Sequence, residues 1–88
     1  MYTAWARVLG EEFAQLVDRV DKHRKSDIDA YGAASPAEFF AVVTEAFFEK
    51  PVPLKRRHPK LYEQLALFYR QDPAARAVGA SSPPDPQA

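Results

Sequence analysis

SPAEFFAVVTEAFFEK, residues 35–50, decides the fold. Ser35 stands where a helix N-cap belongs, with Pro36 at the first helical position and Glu38 at the third. This is a capping box, and its proline sits where a missing N–H does no harm. Phe39, Phe40, Val43, Phe47 and Phe48 then follow at helical spacing and make a broad apolar surface. Glu38, Val42, Glu45 and Glu49 lie along a different stripe. The helix is expected to run to Glu49 or Lys50, where Pro51 and Pro53 stop it. So short a helix with four phenylalanines needs two neighbours to cover it.

The chain on either side supplies them. Residues 2 to about 23 read as one long helix, with Trp5, Val8, Leu9, Phe13, Leu16, Val17 and Val20 on one stripe. Gly10 interrupts it at a cost of about 1 kcal/mol relative to alanine. Either the helix bends there, or it ends and Glu11 starts another. His23 to Ala34 is a polar connector, with turns at Ser26-Asp27-Ile28-Asp29 and Tyr31-Gly32. A third helix is expected from about Pro59 to Gln71, burying Leu61, Tyr62, Leu65, Phe68 and Tyr69. Asp72-Pro73 caps a short fourth helix to about Val78. Strand periodicity is missing. The expectation is an all-α fold of three main helices plus a short C-terminal one over residues 1–78. Residues 79–88, ending SSPPDPQA, form a disordered tail.

Composition excludes several function classes. The 88 residues carry 12 basic and 12 acidic side chains, for a net charge of zero. That argues against a nucleic-acid binder or a polybasic membrane segment. No apolar run approaches the ~18 residues of a membrane span. Cysteine is absent, so there is neither a disulfide nor a thiolate metal site. The start lacks a signal peptide's apolar region, and a soluble, cytoplasmic chain is expected. His23 and His58 read as surface histidines, and the basic run Lys55 to Lys60 as a solvated loop between helices. Glu38 has a sufficient structural reason in the capping box, weighed against a catalytic role. Tyr31 by itself reads as a half-buried loop tyrosine.

Taken together, Asp29 to Phe48 resembles the Mlc titration factor A family of zinc-dependent peptidases. The pattern is Y-G-x-x-x-P-A-E-F-F-A-V-x-x-E-x-F-F. Leu61 to Leu65, Phe68 to Pro73, Trp5 and the Glu11-Glu12-Phe13 helix fit the same family, so the likeness spans about residues 2–76. A more distant likeness is to the catalytic domain of anthrax toxin lethal factor, which shares the tyrosine, the seven-residue step and the A-E-F-F-A core.

The resemblance implies the C-terminal segment of a gluzincin-like domain, in which an HExxH helix gives two zinc-binding histidines and a general-base glutamate. The third zinc ligand is a glutamate on a later helix, by position Glu38. The tyrosine seven residues earlier, by position Tyr31, is expected to stabilise the oxyanion. A carboxylate suits that role, because catalytic zinc keeps three protein ligands and leaves one position for water. Glu45, two turns along the same face, reads either as a support for the metal shell or as a salt-bridge residue. The glutamate that lethal factor has one turn after its ligand is Val42 here, so that feature does not carry over.

No HExxH occurs in these 88 residues. The expectation is therefore the C-terminal third of such an enzyme, with Met1 an internal methionine, a misassigned start or the start of a remnant gene. Alone, the chain is expected neither to bind zinc stoichiometrically nor to cleave peptides. The implied partners are the N-terminal part carrying HExxH, a peptide substrate and a transcriptional repressor of the Mlc type. Two alternatives stand beside the split enzyme: a helical protein-interaction module using exposed aromatic surface, and a structural bundle or gene remnant. An HExxH codon run upstream of Met1 separates the first from the others. Under the resemblance, some of Trp5, Phe39, Phe40, Phe47 and Phe48 are expected to be half of an interface.

Overall fold

A computed structural model describes residues 2–76 of the chain, so the expected tail at 79–88 and the end of the fourth helix lie outside the described residues. The order is α1 (Tyr2–Asp21), a 3-10 turn (Ala30–Ala33), α2 (Pro36–Glu49), α3 (Pro51–Arg57) and α4 (Pro59–Tyr69). No strand occurs among the described residues, and the fold is all-α. Residues 73–76 are helical, as expected after Asp72. Among the described residues, no helix is long and apolar enough to cross a membrane.

α1 continues unbroken through Gly10. Val8 and Leu16 are its buried anchors, and Trp5, Leu9, Phe13 and Val20 pack around them. α2 begins as its sequence requires: the Ser35 side chain accepts from the Glu38 amide at 3.1 Å, and Pro36 follows the cap. Phe39, Val43 and Phe47 point fully inward. They meet Leu61, Tyr62 and Leu65 of α4 and Leu54 of α3 in one core, to which the connector adds Ile28.

Three expectations are corrected. α2 ends at Glu49, as its prolines predict, but helical structure resumes at once, with Pro51 and Pro53 opening α3 where a loop was expected. The first amides of a helix have no intrahelical acceptor, so proline there forfeits no hydrogen bond. Pro51 and Pro59 do push their predecessors out of the helical region, whereas Val52 before Pro53 stays helical. Lys50 (φ −135°, ψ 57°) and His58 (φ −134°, ψ 64°) accordingly mark sharp corners between α2, α3 and α4. The basic residues Lys55, Arg56 and Arg57 thus form the last turn of a helix, where the dipole favours them, and not a loop.

The second correction concerns the aromatics. Phe39 and Phe47 are core and belong to no exposed face, at 2% and 0% exposure. Phe68, expected inside, is 56% exposed beside Leu67 at 67%. Its ring stacks on Trp5 at 4.9 Å and meets Phe40 edge-on at 5.9 Å. Trp5, Phe40 and Phe68 therefore make an aromatic surface shared by α1, α2 and α4, with Phe48 partly exposed on α2 as well. The third correction is His58, described below.

Candidate functional site

The connector and the start of α2 bring Tyr31 and Glu38 together. Asp29 caps the 3-10 turn, its side chain accepting from the Tyr31 amide at 2.9 Å. Gly32 is buried in that turn, and the turn lies directly against α2. A Cβ at Gly32 would stand 3.2 Å from Leu16 Cδ2 and 3.5 Å from Phe39 Cα. The missing side chain is what lets the turn approach so closely.

Tyr31 is left 62% exposed, its phenol beside the Glu38 carboxylate. That carboxylate, first as hydrogen-bond acceptor and second as a charge, raises the phenol above its ordinary value of 10.0. The phenol therefore keeps its proton. The Glu38 amide is used by the Ser35 cap. Its carboxylate, among the described residues, makes no return bond to the Ser35 amide, so only half of the capping box forms. The cap explains the backbone of Glu38 but not the direction of its side chain. Glu45 is exposed on α2 and has no ion pair among the described residues.

The donor set at this point is one carboxylate and one phenol. Among the described residues, no group of three or more histidine, cysteine, aspartate or glutamate side chains converges. A catalytic zinc takes three protein ligands. Glu38 fits one corner of such a site, and the described residues do not supply the others.

His58 is the residue that reading the sequence missed. It is not a plain surface histidine: its side chain is 18% exposed and lies between two carboxylates. Nδ1 is 2.9 Å from Glu12 Oε1 on α1, and Nε2 is 2.7 Å from Asp27 Oδ2 on the connector. The bond to Glu12 is the main cause that raises its pKa above the ordinary 6.5, outweighing burial, with Asp27 adding to it. Burial pushes the Asp27 carboxyl up, but the His58 bond, its own backbone and the charges of His58 and Arg57 hold it below the usual range. The partners are 46 and 31 residues away in sequence, so no local pattern announces the pair.

Comparison with known proteins places the chain among relatives. The model of the family described as "Glucose-regulated metallo-peptidase M90" matches residues 1–70. An uncharacterized protein of Synechocystis, slr2042, is 42% identical over 82% of this chain and 26% of its own length. Mlc titration factor A of Serratia proteamaculans is 41% identical over 83% of this chain and 29% of its own. That of Yersinia enterocolitica is 41% identical over 83% and 28%. The chain thus spans well under a third of the length of these curated relatives. No solved structure matches it.

Proposed function

This chain belongs to the glucose-regulated metallo-peptidase M90 family, and from that premise we propose that it carries part of a zinc peptidase's catalytic centre. Glu38 is one metal ligand and Tyr31 the oxyanion donor. HExxH, with two further ligands and the general base, comes from a segment outside these 88 residues. The carrying observation is the pairing itself: a glutamate whose carboxylate is not used by its cap, beside an exposed phenol that keeps its proton.

Bound zinc would supply Lewis-acid polarisation of the scissile carbonyl. Glu38 contributes a rigid carboxylate from the first turn of a helix, held by Ser35 and Pro36. Tyr31 contributes an O–H donor held by the Asp29 cap. A protonated phenol is the form that donates to a developing oxyanion, and losing one such donor costs about 10²–10³ in kcat. Glu45 is assigned to orienting the metal shell.

The test is reconstitution. The chain is mixed with a separately produced family segment bearing HExxH, and zinc-dependent peptide hydrolysis is measured. Activity is expected to appear, to vanish with Glu38→Gln and to fall in kcat with Tyr31→Phe. Calorimetry on the chain alone is expected to show no stoichiometric zinc binding. Tight one-to-one binding would overturn the split-site reading.

The Trp5–Phe40–Phe68 surface, with Phe68 exposed and Trp5 and Phe40 half-buried, favours a second reading, a helical interaction module. Two of the relatives above carry the name Mlc titration factor A, and a repressor of the Mlc type is the corresponding partner. Binding of the repressor by the chain alone, abolished by Phe68→Ala and indifferent to Glu38→Gln, would support this reading over the first. Cytoplasmic residence accords with either.

A further inference from the structure

We propose that His58, as the imidazolium, is a pH-sensitive clamp that ties Glu12 of α1 to Asp27 of the connector and thereby positions the turn that carries Tyr31. A neutral imidazole has one N–H and one bare nitrogen. Here both ring nitrogens face carboxylate oxygens, at 2.9 and 2.7 Å. A bare nitrogen would set its lone pair against a carboxylate at one of them. Only the doubly protonated ring donates to both, and the distances are those of charge-assisted bonds.

The clamp acts on the segment that leads into the turn. Asp27 is followed by Ile28, buried at 4% exposure. Asp29 then accepts from the Tyr31 amide at 2.9 Å. The backbone from the clamp to the phenol is thus anchored at Asp27, Ile28 and Asp29. The charged surroundings support the closed form. Glu12 faces the ring from α1 and Asp27 from the connector, while Arg57 acts on Asp27 from α3. Lys50 at the end of α2 and Arg56 line the same groove of about 460 Å³ that Asp27 borders.

His58 is raised, so its contribution is whole below 6.5 and fades as pH rises through its higher folded value. Asp27 is lowered, so its contribution is whole above 3.8 and fades as pH falls through its lower folded value. The clamp is closed between these limits and opens on the alkaline side.

The inference rests on the proposed role of Tyr31 only for its consequence in catalysis; the clamp itself is read in the 88-residue chain. The experiment is an NMR titration of the His58 ring and of the amides of Ile28 to Tyr31. The ring is expected to titrate above its own midpoint in urea, and the amides to shift with that same midpoint. Asp27→Asn is expected to lower the midpoint and uncouple the amides. Should Asp27→Asn unfold the chain, Glu12→Gln, which keeps the Asp27 bond, must still lower the midpoint. Glu38→Gln, aimed at the proposed metal ligand, leaves it in place, so the two proposals fail separately. A ring midpoint at or below the urea value, or amides that ignore it, overturns the clamp.

Discussion

Two glycines show how one residue type serves opposite purposes. Gly10 sits exposed in the middle of α1, and a Cβ there would meet nothing within 4 Å. Its only effect on folding is entropic, so Gly10→Ala is expected to add about 0.5–1 kcal/mol. Urea denaturation should show a higher midpoint at unchanged slope. Gly32 is buried, and its φ raises no objection to a side chain; the objection is space, with Leu16 Cδ2 at 3.2 Å. Gly32→Ala is therefore expected to cost about 1–3 kcal/mol by overpacking. Because that turn carries Tyr31, the variant should also disturb the Tyr31 resonances, which Gly10→Ala should leave alone. Equal and small effects from the two substitutions would contradict this account. The Glu38 amide belongs to the helix cap, and its carboxylate raises the Tyr31 phenol above its ordinary value.

At the scale of elements, the last contact of α4 is the most exposed to test. The Tyr62 hydroxyl donates to Asp72 Oδ1 and accepts from the Ala74 amide at 2.9 Å, fastening the segment after α4 to the core. Burial, with the Asp72 carboxylate next, raises the Tyr62 phenol above its ordinary range. Tyr62→Phe keeps the packed ring but leaves a buried amide without its acceptor, which should cost about 1–3 kcal/mol in urea unfolding. Hydrogen exchange at Ala74 should speed up more than in α2. The helices themselves were legible where periodicity and caps agreed: α1, the Ser35 start of α2, and α4 all lie close to where their patterns put them. α3 was not, because a pair of prolines signals a stop and a first turn with equal force. Its assignment depended on Leu54 finding the core, a tertiary fact. Tyr31 and Glu38 were named from a family pattern, and their adjacency required the Gly32 approach. His58 left no trace in the sequence, since both its partners come from distant parts of the chain.

Across the whole molecule, the aromatic surplus divides into two populations with different energetics. Phe47, with no exposure, touches Tyr62, Tyr69 and Phe48 rings. Phe47→Ala should cost about 3–5 kcal/mol. That is much of the total stability of a chain this size. Phe68→Ala removes a half-exposed stack on Trp5 and should cost about 0.5–1.5 kcal/mol. Thermal melts of the two variants should thus separate core from surface. The ion pair at His58 is the other global constraint, joining α1, the connector and the α3–α4 corner. His58 is partly shielded, while Asp27 is 38% exposed, so solvent screening reduces the value of that arm. Together the two bonds should contribute about 1–2 kcal/mol. Because the histidine is raised, this stabilisation is present in full below 6.5 and drains away as pH climbs through the folded value. Urea unfolding across that range should therefore show a midpoint that falls on the alkaline side. His58→Gln, which cannot hold a charge, should start lower and lose that slope. A wild-type midpoint flat through the histidine range would mean that the two carboxylates do not hold the ring charged.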